Sequence, residues 1–298
     1  MTESNNFKQR VSTQKILSIA LPCILGWTFA YLATNVFRDY ALGLFVWLPF
    51  VLGATSTLIL ALSIIYFIPE SRKKINTQHF TFLFSSSIDT ATIFKLATAL
   101  ETNYSIIGND LRTQPSDNIE TTIYAQRWRY IKATGNWGAS GNIEGISKLH
   151  FVEQAWGESD NSKVAVHEFA HTVTLKLLLD NEAQPVNSKD FDKKFSTFPV
   201  WLWESISVYE AHQFVDPKTL PYFNNGHYPA ISELNDRLKG GKIYSCGYTI
   251  IEYILSKYGR DNFINLIKHY GNLEGTFHVT DEQFCKEWYE FVKEKYLI

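Results

Sequence analysis

The order of elements along the chain predicts an α+β domain preceded by a transmembrane helical hairpin. Three observations carry this. Two long uncharged runs open the chain, β-forming segments follow between residues 79 and 152, and from Ser162 onward the apolar spacing is mainly helical.

The first run covers about residues 16–37 and the second about 42–68, with Arg38 and Asp39 between them. A helix needs about 20 apolar residues to cross the hydrocarbon core, and each run is long enough. A cleaved signal peptide fits less well, because the first run is too long for its apolar core and a second run follows directly. Lys8, Arg10 and Lys15 precede the first run, and Arg72, Lys73 and Lys74 follow the second. The positive-inside bias then puts both flanks, and the domain after them, in the cytoplasm, held at the cell or inner membrane with the lipid bilayer as partner. The expected division is a membrane anchor over 1–78 and a folded domain over 79–298.

Composition narrows the function classes. The 298 residues allow one or two domains with a sizeable core, and a net charge of −2 offers nothing to nucleic acid. Cys23, Cys246 and Cys285 show no Cys-x-x-Cys spacing, so reduced thiols are expected rather than a disulfide scaffold.

Within the folded part, His79–Phe84 reads as a strand and Ile88–Glu101 as a helix with apolar residues at Ile88, Ile93, Leu96 and Leu100. Ile119–Ala125 is rich in Thr, Ile and Tyr and reads as a strand. Residues 134–145, with their glycines, read as a loop leading into a strand, and Ile146–Val152 as a further strand.

The chemistry concentrates in His167-Glu168-Phe169-Ala170-His171, inside an apolar helical run. Histidines four apart project from one helix face, and two nitrogen donors one turn apart can hold one Zn²⁺. Glu168 follows the first histidine and lies beside the metal position, where a base for activated water belongs. With 8 His in the chain, the pattern arises by chance in roughly one such sequence in a hundred. The bland alternative is a pair of core histidines bonded to neighbours.

A third ligand is required. A histidine six residues beyond His171 would supply it in metzincins, but that position is Leu177, and the glycine expected three after His171 is Thr174. Asp180 and Glu182 follow too soon to fold back over the same helix face. Glu204, in the apolar run Pro199-Val-Trp-Leu-Trp-Glu, is a carboxylate that needs a buried partner, either a basic side chain or a metal.

His-Glu-x-x-His, followed at a distance by Trp201, Leu202, Glu204, Tyr209 and Glu210, resembles the gluzincin peptidases, nearest to the M1 aminopeptidase-like and peptidase MA-like domains. Ser205 stands where Gly is usual and Ser207 where Ala is usual; both are small. The resemblance covers about residues 79–298. It implies a zincin-like domain, with a small mixed sheet, the His-Glu-x-x-His helix and C-terminal helices, and Zn²⁺ held by His167, His171 and Glu204. Tyr244-Ser-Cys-Gly247 and the later Lys257-Tyr-Gly259 look like the group's Tyr-x-x-Gly helix and Tyr-Gly turn. By resemblance Tyr244 takes the oxyanion-stabilising role, with Tyr248 as its rival. Gly141-Asn-Ile-Glu144-Gly145 is similar to the Gly-x-Met-Glu-Asn strand, with Ile143 for Met and Gly145 for Asn, which implies a substrate-amine contact for Glu144. The other histidines, 79, 150, 212, 227, 269 and 278, show no ligand spacing.

The leading expectation is hydrolysis of peptide bonds in a peptide or protein substrate, with an upstream strand edge within 141–152 pairing with the extended substrate. A membrane-anchored scaffold with a relic site, and a zinc hydrolase of non-peptide amides, are the alternatives.

Overall fold

A computed structural model describes residues 24, 27–28, 31, 51, 53–60, 69–153, 160–236 and 241–298. The chain divides into two compact units, Met1–Glu70 and Ser71–Ile298.

In the first unit the described residues up to Leu60 are helical. The Trp27 indole N–H donates to Thr57 Oγ1 at 2.8 Å. Its ring lies 2.6–2.7 Å from where a Cβ on Gly53 would stand, so only glycine admits it. Ile24, Trp27, Tyr31, Val51, Leu58 and Ile59 are exposed. The expected spans over 16–37 and 42–68 lie largely outside the described residues, as does Cys23. No described helix is long and apolar enough to cross a membrane.

The second unit is mixed α and β, with one five-stranded sheet ordered β1-β2-β3-β5-β4. The strands are β1 Arg72–Asn76, β2 Phe80–Ser85, β3 Ile119–Tyr124, β4 Gly141–Glu144 and β5 Lys148–Val152. β2, β3 and β5 run parallel; β1 and β4 close the two edges antiparallel. Phe80, Phe82 and Phe84 alternate into the core from β2, the period of a strand with one buried face.

Two sequence expectations are corrected at this level. Arg72, Lys73 and Lys74, the cations after the second uncharged run, form β1 against Leu83–Ser85, so the folded domain expected to start at residue 79 already includes them. Their exposed cations suit an edge strand, which must resist pairing with other chains. Within the glycine-containing loop expected over 134–145, residues 141–144 form β4, and Arg127–Thr134 is a helix, α2, whose single buried residue, Tyr130, gives it no apolar stripe to read.

The longer helices among the other described residues are α1 Thr90–Asp110, α3 Asn161–Asp180, α4 Ser188–Phe195, α5 Val200–Glu210, α6 Lys242–Lys268 and α7 Asp281–Val292. α1 starts at Asp89, whose carboxylate caps the Ala91 N–H, and α3 at Asp160, which caps Ser162 N–H. Phe169 of α3 meets Phe80 at 5.4 Å and Tyr104 of α1 at 5.9 Å, joining helix and sheet in one core. α5 crosses α6 closely: a Cβ on Gly247 would come 3.0 Å from Ser205 Cα, so the two small residues make the approach possible. α6 breaks at Gly259, whose φ of 77° is the left-handed turn expected at Lys257-Tyr-Gly259. Trp288 of α7 donates to Thr249 Oγ1 at 3.1 Å, fixing α7 on α6. Cys246 and Cys285 are buried free thiols.

Glu210, at the end of α5, is buried and its Oε1 has no hydrogen-bond partner. Burial, then the charge of Asp110, push its carboxyl up to about 8, while Arg260 opposes them. Arg260 is engaged by Asp110 at 3.0 Å. A carboxyl raised above its ordinary value of 4.5 costs the fold nothing below that pH; the penalty grows as pH rises and is complete above about 8. Glu210→Gln is therefore expected to stabilise by a few kcal/mol, on the order of magnitude set by linkage, near pH 9, and to change stability little near pH 4, as read by denaturant unfolding at both pH values.

Candidate metal centre

α3 carries no Gly or Pro and is buried around most of its circumference, so its register is held on all sides. That places His167 and His171 one turn apart with ring centroids 4.7 Å from each other. α5 lies across them and brings in Glu204. Its Oε2 is 3.3 Å from His167 Nε2 and 3.6 Å from His171 Nε2, and all three residues are buried.

The outer nitrogens are held by neutral partners. His167 Nδ1 donates to Gln213 Oε1 at 2.9 Å, and His171 Nδ1 pairs with Ser207 Oγ at 2.8 Å. His171 also stacks flat on Trp203, with centroids 4.3 Å apart and planes 9° apart. These contacts turn both Nε2 atoms toward the Glu204 carboxylate, the arrangement in which second neighbours orient metal-binding imidazoles.

The group can hold a metal ion: its ligand atoms lie within 4.8 Å of one another. Donors about 2.0–2.1 Å from one tetrahedral centre stand about 3.3 Å apart, close to both nitrogen–oxygen separations here. Burial would raise the Glu204 carboxyl, but the hydrogen bonds and charges of His167 and His171 outweigh it and hold it far below the usual carboxylate range. The same pairing, against burial, raises His167. The three groups thus share protons where a cation can take over, releasing them as it binds.

Glu168 is partly buried beside this trio. Burial and the Glu204 charge push its carboxyl up to about 7, with His167 opposing. It lies against Gly141 of the edge strand β4: a Cβ there would overlap Glu168 Cγ and come 2.7 Å from Oε1. All four residues face an open cavity of about 440 Å³ that Trp203, Gln213 and Tyr244 also line.

Tyr244 stands in the first turn of α6, its ring 6.3 Å from that of His167. Tyr248 instead packs against Tyr209 and Phe214 and does not line the cavity. Glu144 is not brought to the site. It is exposed at the far end of β4, bonded to Lys148 at 2.7 Å and 3.5 Å from His150. That pairing, the Lys148 hydrogen bond foremost, lowers its carboxyl.

β4 is the outer strand beside the cavity. The Val152–Ser140 bond sets the alternation that turns the Gly141 and Ile143 peptide groups away from β5. Two outward carbonyls are taken by side chains: Gly141 O accepts from Tyr130 Oη, and Ile143 O from Asn142 Nδ2. The edge therefore offers N–H donors rather than a full ladder.

Sequence reasoning missed Gln213, Trp203 and Tyr130, and treated Ser207 only as a departure from a pattern. No spacing rule relates Gln213 to His167 across 46 positions. Trp203 alone carried a signal, an aromatic next to the candidate ligand Glu204.

No family model matches the chain, and no curated protein matches its sequence.

Removing either orienting partner takes away the hydrogen bond that sets an imidazole's rotation. Gln213→Ala and Ser207→Ala are each expected to weaken metal affinity by about 10–100-fold, measured by chelator competition, with the fold retained by circular dichroism.

Proposed function

We propose that the chain is a zinc-dependent peptidase of the gluzincin type, held at a membrane by its N-terminal unit. The observation that carries the reading is the convergence of His167, His171 and Glu204, buried, with Glu168 adjoining on an open cavity. Two imidazoles and one carboxylate are the donor set of a catalytic zinc with room left for a reactant. Zinc bound there supplies Lewis acidity, polarising a carbonyl oxygen and acidifying water.

The chain's own residues do the rest. Glu168, balanced near neutrality, takes the proton of the attacking water on its carboxylate and returns it to the nitrogen of the leaving amine. Tyr244 directs its phenol O–H toward the oxygen on which negative charge develops. The outward N–H groups of β4 donate to the carbonyls of an extended peptide. Glu144, tied to Lys148, takes no part in holding a substrate amine.

The uncharged runs over 16–37 and 42–68 support two transmembrane helices, and the cations flanking them a cytoplasmic catalytic unit. Exposed apolar side chains on the described part of the first unit support lipid contact.

Glu168→Gln is expected to bind zinc stoichiometrically yet lose at least about 10²–10⁴-fold in turnover of a peptide library, read by mass spectrometry. Glu204→Gln is expected to lose zinc, read by elemental analysis. Undiminished hydrolysis by the Glu168 variant, or no zinc in the intact wild-type chain, overturns the proposal.

A further inference from the structure

Among the described residues, no hydrogen bond fixes the Glu168 carboxylate; the wall formed by Gly141 does. That wall is itself held from outside the site. Tyr130 of α2 is fully buried, and its phenol donates to the Gly141 carbonyl at 2.7 Å. One turn earlier, Arg127 Nη1 donates to the Ala139 carbonyl at 2.7 Å. The Tyr130 ring packs edge-on to Tyr124 of β3, centroids 6.0 Å apart, and clusters with Val152 of β5. The phenol is thereby referenced to the sheet rather than to the loop it holds. Burial, reinforced by the nearby charge of Glu168, keeps the phenol protonated and a donor at any working pH.

From this geometry we infer that Tyr130 is a positioning residue for the reaction: it fixes the Gly141 peptide, and through that contact sets where the Glu168 carboxylate stands relative to a bound substrate. The inference rests on the reading of Glu168 as the base. Tyr130 does not itself line the cavity; it reaches the lining only through Gly141. A missing hydroxyl lets the 139–141 segment drift. A general base displaced by an ångström or so loses alignment with the proton it takes, with losses reaching about 100-fold.

The test uses the full-length, zinc-loaded chain. Tyr130→Phe keeps the ring and removes only the donor. The expected result is a fall in kcat of about 10–100-fold, with KM and zinc affinity within about twofold of wild type and thermal stability nearly unchanged. A merely structural role would instead lower stability or zinc affinity together with kcat, and that outcome, or an unchanged kcat, overturns the inference. Gly141→Ala supplies a readout independent of turnover. The added methyl overlaps Glu168, so a crystal structure is expected to show the carboxylate moved while His167, His171 and Glu204 stay in place. A carboxylate found in its original position overturns the inference, whereas an inactive wild type with Glu168 displaced in the variant sinks only the peptidase reading.

Discussion

Everything at the candidate site depends on one buried contact, the Glu204 carboxylate between two imidazoles of α3. Carboxylate and imidazolium lose their hydration when α5 closes on α3, and neither element can part from the other without leaving a buried charge unpaired. The surrounding architecture serves that contact. Ser205 and Gly247 let α6 press on the back of α5, and Trp203 lies flat against His171. Ser207 and Gln213 hold the far nitrogens. α5 thus contributes a candidate ligand, a hydroxyl bonded to His171 and a stacking surface within about one turn, because residues three and four apart share a helix face.

A second constraint comes from the sheet edge. β4 stops the sheet, and its Gly141 lies directly against Glu168 of α3. A side chain at 141 would drive Glu168 away, so the edge strand acts as a wall for the acid beside the candidate metal-binding trio as well as a flank of the cavity. α2 does no chemistry of its own. It ties the segment leading into β4 to the sheet through Arg127 and Tyr130.

The first unit follows a different logic. A tryptophan fills the notch left by Gly53 and bonds Thr57, so two segments far apart in sequence meet through one side chain. Among the unit's described residues, Ile24, Tyr31, Val51, Leu58 and Ile59 are exposed.

What the residues alone determined is what depends on local geometry. Histidines at i and i+4 inside an apolar run must share a helix face, so His167 and His171 were legible with Glu168 beside them. The period-2 pattern of Phe80, Phe82 and Phe84 and the helical pattern beyond Ser162 made the α+β class legible for the same reason. Glu204 was legible because an apolar helix does not carry a carboxylate without a partner, although its distance from the histidines was not. Tertiary structure decided the rest. It made Arg72–Lys74 a strand, turned Glu144 to Lys148, chose Tyr244 over Tyr248 to face the cavity, and supplied Gln213, Ser207 and Tyr130 as the groups that hold the site's parts. Those outcomes depend on how elements dozens of residues apart pack, and no spacing along the chain encodes them.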